Sequence, residues 1–223
     1  MLSSFRKLGW LSLGVILFLV GCGSDSAKLR VMQASPDESS VDVLIDGKSV
    51  ATNVAYATAT KYLTVSSGSR HLQVEPSGST TVIVDQSLSL SGNSNSTVLV
   101  YGLSPSITAL DLADDDSAPT SGDFKIRLVN AAPLMGAVDI FVVTPGTNLT
   151  DVGPNVTNLT AQAASGYLSF AAGTYEVFFT VPGGISSFID SGPITFSTGQ
   201  VRTMVALDGQ AGGFTFSTLP DLN

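Results

Sequence analysis

The sequence predicts an all-β chain: two tandem antiparallel β-sandwich domains, immunoglobulin-like or transthyretin-like, behind a short N-terminal export segment. Three observations carry this. Apolar residues alternate with period two in several stretches, as half-buried strands require. Turn signals punctuate them, at Asp46-Gly47, Pro182-Gly183-Gly184 and Asp208-Gly209. Helix formers are scarce, with Glu38, Glu75 and Glu176 the only glutamates among 223 residues.

The first element is the export segment, residues 1–21. Arg6 and Lys7 precede an uncharged, mostly apolar run from Leu8 to Val20. A membrane-crossing helix needs about 20 apolar residues, so this run is too short to span. A charged start before a short apolar stretch is the form of a secretory signal. The run ends in Leu19-Val20-Gly21-Cys22, which resembles the lipobox of bacterial lipoproteins. The resemblance implies cleavage between Gly21 and Cys22 and acylation of the Cys22 sulfur. Each buried methylene contributes about 0.8 kcal/mol, so two or three acyl chains anchor stably where one does not. Residues 22–27 then read as a lipid-anchored tether. Because Gly23, not Asp, follows the cysteine, the resemblance points to the outer membrane of a two-membrane bacterium, or to the cell surface of a single-membrane one. Cys22 is the only cysteine, so no disulfide forms within the chain, and the exported part must be held by its cores.

The next elements are strands near 28–33, 41–46, 62–65, 70–75, 81–90, 97–102 and 108–112, making a first domain over 28–112. Val41, Val43 and Ile45 share one face there. Residues 113–122 carry Asp114, Asp115, Asp116, Pro119 and Gly122 without apolar periodicity, and read as an acidic linker. The second domain, 123–223, has strands near 124–130, 138–143, 167–170, 174–181, 193–197, 201–207 and 213–218. Tyr175, Val177, Phe179 and Val181 line one face of the longest. A weak helical stretch lies within 157–165.

The two sets of strands repeat one pattern. Leu29-Arg30-Val31-Met32-Gln33-Ala34-Ser35-Pro36 aligns with Ile126-Arg127-Leu128-Val129-Asn130-Ala131-Ala132-Pro133 at an offset of 127 − 30 = 97. Val41-Asp42-Val43 aligns with Val138-Asp139-Ile140 at the same offset. Tyr62, Gly68 and Asp85 match Tyr167, Gly173 and Asp190 at 105, which places an insertion within Thr144–Ala164. At these residues the chain resembles the bacterial family called domain of unknown function 4397, whose members open with a strand, an Asn-Ala-Ser-Pro-like turn and a Val-Asp-Val strand. Gln33 stands for the usual Asn in the first copy and Ala132 for Ser in the second. The resemblance implies an exported β-sandwich and no established activity.

Few residues are candidates for chemistry. His71 is the only histidine, so neither a Ser-His-Asp triad nor a multi-ligand zinc site can be assembled in the usual way. Asp114, Asp115 and Asp116, with Asp111 and Asp123 nearby, offer oxygen ligands for calcium, but not at EF-hand spacing; a solvated linker is the simpler account. Arg30/Arg127 and Asp42/Asp139 recur, either as a polar site in each domain or as partners that fix strand register. Phe178 and Phe188 face outward, for ligand stacking or domain contact. Trp10, the only tryptophan, leaves with the signal, which weakens a sugar-stacking platform. The Asn-x-Thr sequons at Asn148, Asn155 and Asn158, and Asn95-Ser96-Thr97, are read as loop composition.

Net charge is −8, and losing Arg6 and Lys7 makes it −10, which argues against nucleic-acid partners. The expected function is that of a lipid-anchored, non-enzymatic envelope protein, a scaffold or binding module without catalytic residues, metal or cofactor. Its partners would be the membrane, through the anchor, and an envelope protein or a glycan. A carbohydrate-binding surface module is the first alternative and a carboxylate-based hydrolase the second.

Overall fold

The computed structural model describes residues 25–222. The export segment and Cys22 lie outside that range. The described residues are all-β, with two short 3₁₀ turns among them. The N-terminal half runs β1 (Ser26–Gln33), β2 (Ser40–Ile45), β3 (Lys48–Ala55), β4 (Leu63–Ser66), β5 (Gly68–Pro76), β6 (Val84–Leu90), β7 (Asn95–Tyr101) and β8 (Thr108–Ala113). The C-terminal half runs β9 (Asp123–Asn130), β10 (Val138–Val143), β11 (Val156–Leu159), β12 (Ala163–Ala164) and β13 (Leu168–Ala171). It continues with β14 (Gly173–Thr180), β15 (Ser187–Asp190), β16 (Ile194–Phe196), β17 (Val201–Asp208) and β18 (Phe214–Pro220).

Each half is two facing sheets. In the first, β4-β1-β7-β8 faces β3-β2-β5-β6. In the second, β12 and β13 flank β9 in β9-β17-β18, which faces β11-β10-β14-β15, with β16 also on β14. The inward faces follow the predicted alternation. Val41, Val43 and Ile45 are buried, and so are Val177 and Phe179. Asp46 and Gly47 both take positive φ, 51° and 73°, between β2 and β3. That is the backbone a two-residue hairpin needs to match strand twist.

Two of the four sheets are mixed, not purely antiparallel as expected. β1 pairs parallel with β7, Arg30 opposite Thr97, and β9 pairs parallel with β17, Arg127 opposite Thr203. Alternation reveals which face of a strand is buried but not its direction, and five or more strands intervene before each parallel partner arrives. The weak helical stretch is also corrected. Residues 156–159 and 163–164 are strands, because Asn158 (φ 50°) and Gln162 (φ 69°) are left-handed and break any helix between them. Four strands escaped prediction: β3, β11, β12 and β15. All are edge strands or near an edge, with β3 mostly exposed, so little alternation is written into them.

Three apolar clusters hold the chain. One fills the N-terminal half around Leu29, Val43, Leu72 and Val98. One fills the C-terminal half around Phe124, Ile140, Phe179 and Met204. The third lies between the halves, with Met32, Leu99 and Tyr101 against Val129, Val205 and Leu207. It forms because β1, β7, β9 and β17 are buried on both faces, with Met32, Leu99, Val129 and Val205 on the face turned to the other half. Leu29 and Val31 point into their own half, while Met32 points at the other. Strands buried on both sides read as continuous apolar runs.

Candidate functional site

The seam between the halves carries a closed ring of polar side chains. On β1, Arg30 donates through Nε (3.1 Å) and Nη2 (2.7 Å) to Thr97 Oγ1 on β7. Thr97 donates to Asp114, just past β8, at 2.8 Å. Asp114 Oδ1 takes the Arg127 Nη2 at 2.5 Å. On β9, Arg127 donates to Thr203 Oγ1 (2.9 Å) on β17, and Thr203 donates to Asp221 Oδ2 at 2.8 Å. Asp221 Oδ1 takes Arg30 Nη2 at 2.6 Å, and the ring closes. Each arginine thus pairs with a threonine of its own half and a carboxylate from the other. The third nitrogen of each guanidinium is used too, with Arg30 Nη1 on Pro220 O (2.6 Å) and Arg127 Nη1 on Ala113 O (2.8 Å).

Two tyrosines cover the ring. Tyr62 donates to Asp114 Oδ2 at 2.7 Å and lies under the Arg30 guanidinium, 4.7 Å from its ring centre. Tyr167 donates to Asp221 Oδ2 at 2.7 Å and lies under Arg127 at 4.9 Å. Burial pushes both phenols upward. The four charged side chains are at most 4% exposed, and their formal charges cancel. Buried ions are tolerated when they are paired and hydrogen-bonded in this way.

The neighbours of the ring differ on its two sides. On the Arg127 side the chain itself continues across it. Lys125 Nζ donates to Asp115 Oδ2 (2.9 Å), Asp115 O (3.2 Å) and Ser117 Oγ (2.9 Å), and lies over Tyr167. On the Arg30 side a cleft of about 820 Å³ opens between the Ala57–Tyr62 segment and the end of β18. Ala57, Ala59, Leu219 and Leu222 supply apolar wall, and Lys28, Lys61, Arg30 and Asp221 supply charge.

The predicted residues fall as follows. The 113–122 stretch joins the halves without regular structure beyond Ala113 and is mostly exposed, but its three aspartates are not left to solvent. Asp114 is in the buried ring, Asp115 is held by Lys125, and Asp116 accepts from the Asn95 amide. Ser26 and Ala27, expected in the tether, open β1 instead. Among the described residues no group of three or more His, Cys, Asp or Glu is disposed to hold a metal ion. No helix among them is long and apolar enough to cross a membrane. His71 is half-exposed and bonds Asp85 at 2.6 Å; that contact lowers the Asp85 carboxyl. Phe188 packs on Phe214, ring centres 5.4 Å apart, while Phe178 is half-buried.

Asp42 and Asp139 fix register, but not with the arginines. Asp42 Oδ1 accepts from the Asn53 amide and the Ser77 hydroxyl. Asp139 accepts from the amides of Asn158 and Gly183. These bonds pin left-handed Asn53 and Asn158 at the bulges of β3 and β11. Gln33 and Asn130 likewise hold the turns that follow β1 and β9. Asn130 Nδ2 donates to Gly136 O and Leu159 O, and Gln33 Nε2 to Ser35 O and Glu38 O.

Thr97, Thr203 and Asp221 were missed. A signal was present: 203 − 97 = 106 and 221 − 114 = 107 continue the offsets of the repeat. What hid them was position, since Asp114 and Asp221 follow the last strand of each half.

Asp115 gives a direct check on the Lys125 grip. The Ser117 hydroxyl and the Lys125 ammonium hold its carboxyl at about 2, against an ordinary 3.8. Above pH 3.8 folded and unfolded chains are both ionised there, so the contribution to stability is fully present. It is lost as pH falls from 3.8 towards 2. A carbon-detected NMR titration is expected to place the Asp115 midpoint near 2, and Lys125→Ala to move it upward. A midpoint that does not move would remove Lys125 from the account.

A family model described as "Domain of unknown function (DUF4397)" matches residues 27–141, just over half of the chain. None of the curated proteins matches. Among solved structures, a family CBM26 module of Eubacterium rectale Amy13K, in complex with maltoheptaose, is 12% identical. That match covers 89% of this chain and 98% of that one, at a TM-score of 0.29. A structure titled for alpha-glucan binding by a streptococcal virulence factor is 10% identical, covering 86% and 97%, at 0.28. The Bacillus anthracis TIE protein is 10% identical, covering 81% of this chain and 33% of its own, at 0.27. Superposition this loose carries no argument about function.

Proposed function

We propose that this chain, which belongs to the DUF4397 family, is a non-enzymatic binding module of the bacterial cell envelope, anchored by lipid at Cys22. In this reading residues 26–113 and 123–220 are tandem copies of one sandwich, immunoglobulin-like or transthyretin-like. Chemically equal residues at offsets of 97 and 105–107 occupy equal places in the strands, which supports the duplication. The observation that carries a binding role is the 820 Å³ cleft at the seam. One of its walls is the buried ring, so its shape is fixed before any ligand arrives.

The test is retention of the full chain on glycan and peptide arrays, compared with Thr58→Trp. Thr58 is exposed on the cleft wall, so the indole fills the cleft without touching a core. Retention on at least one array surface is expected, and loss of it in the variant. Unchanged retention with the cleft filled would overturn the proposal.

The anchor rests on Leu19-Val20-Gly21-Cys22 and is tested separately. The intact mass of detergent-extracted protein is expected to lack residues 1–21 and to carry a diacylglyceryl group or more. Cys22→Ser should leave the membrane fraction. An unmodified thiol on membrane-bound protein would end this part of the proposal.

A further inference from the structure

We infer that the cleft takes an extended acidic peptide from a partner, in the manner that the opposite side of the seam already holds residues 114–117. The inference deepens the binding reading above and rests on it.

The internal template is direct. Lys28, Arg30 and Tyr62 correspond to Lys125, Arg127 and Tyr167 at offsets of 97, 97 and 105. On the second platform runs Asp114-Asp115-Asp116-Ser117. Arg127 takes the first carboxylate, and Lys125 takes the second and the serine hydroxyl. On the first platform Asp221 takes the place of Asp114, and beside it lies the cleft. Lys28 reaches only the Thr64 hydroxyl, at 2.8 Å on the exposed surface. Lys61 stands at the same cleft without an ion pair among the described residues, where its counterpart at offset 105 is Gly166. The first platform therefore has the cation that the second uses to grip a carboxylate, plus one more.

Charge favours the same ligand. In a chain of net −8, two ammonium groups at one cleft, neither in an ion pair among the described residues, are a local positive site. Carboxylates that bridge to Lys28 and Lys61 would form charge-assisted hydrogen bonds like those of Lys125. A glycan is less well served. The Tyr62 hydroxyl is spent on Asp114 and one face of its ring on the Arg30 guanidinium, which leaves a sugar at most the other face and no hydrogen bond from that side chain.

The probe is a fluorescent peptide of sequence 113–122 of this chain, Ala-Asp-Asp-Asp-Ser-Ala-Pro-Thr-Ser-Gly, titrated with the full chain in detergent and read by anisotropy. Binding is expected below about 1 mM. It should weaken about tenfold or more in Lys28→Glu with Lys61→Glu, and when the three aspartates of the peptide become asparagines. Raising salt from about 0.1 to about 1 M shortens the Debye length from about 10 to about 3 Å and should weaken it further. Lys28 and Lys61 are outside the ring and the cores, and unchanged circular dichroism would show that the variant folds. No binding, or binding indifferent to both lysines, overturns the inference. Should a glycan array retain the chain in a cleft-dependent way while the peptide does not bind, the binding role stands and the acidic-peptide assignment falls.

Discussion

Asp114→Ala is expected to destabilise the protein by about 3–5 kcal/mol, the cost of leaving a buried charge without its partner. Its carboxylate takes Arg127, Thr97 and Tyr62 at once, and its side chain is wholly buried. Removing it strands the Arg127 guanidinium between two sheets, 4% exposed, where water cannot replace the lost bonds. Asp221→Ala should match it, because Asp221 does the same for Arg30, Thr203 and Tyr167. The double change Arg127→Met with Asp114→Leu should be less harmful than Asp114→Ala, since no lone charge is left buried. Urea unfolding followed by far-ultraviolet circular dichroism measures all four proteins; tryptophan emission does not report on the sandwiches, because Trp10, the only tryptophan, lies outside the described residues. The ring also couples the halves. Its loss is expected to broaden the transition as they begin to unfold separately. A single variant within about 1 kcal/mol of the wild type, the range of an exposed ion pair, would show that the ring is not what locks the seam.

The seam explains which parts of the fold were legible in the sequence. Val41, Val43 and Ile45 announce a strand because one face of β2 meets the core and the other is half-exposed. In β1 the residues from Arg30 onward are buried on both faces, so Arg30 reads as an outward, solvated position, yet it faces a second sheet. Its partner Asp221 lies 191 residues away, and no local spacing predicts that contact. Asp114 was harder still. It stands in a run of three aspartates before Pro119, a composition that ordinarily means a solvated tether. Only one of the three is exposed in the ordinary sense, because sheet-on-sheet packing brings Arg127 and Asn95 to the others. The turn residues were the opposite case. Gln33, Asn130, Asp42 and Asp139 act within their own half, through bonds to nearby loops, and for Asp42 and Asp139 a register role was one of the two readings their recurrence allowed.

Phe124→Ala is expected to cost about 3–5 kcal/mol, and its size tests how far the two halves are interchangeable. Phe124 is fully buried and stacks on Phe196, ring centres 4.3 Å apart, with Phe170 and Tyr175 within 5.8 Å. At the same place in the first half, offset 97, stands Ala27, also buried. Around it Val65, Arg70 and Leu90 take the places of Phe170, Tyr175 and Phe196, at offsets of 105, 105 and 106. An alanine is thus native to this strand position, but only where its neighbours are not aromatic. In the second half the same alanine would leave three rings facing a void that they cannot close, so both burial and ring–ring attraction are lost. The reverse change, Ala27→Phe, should also destabilise, by about 1–3 kcal/mol, because the aliphatic cluster has no room for a ring. If Phe124→Ala were nearly neutral by the same urea measurement, the aromatic cluster would be ornament to a core that the shared topology holds by itself. The expected large cost means that the two halves share strands, turns and the ring, while each core is packed around different side chains.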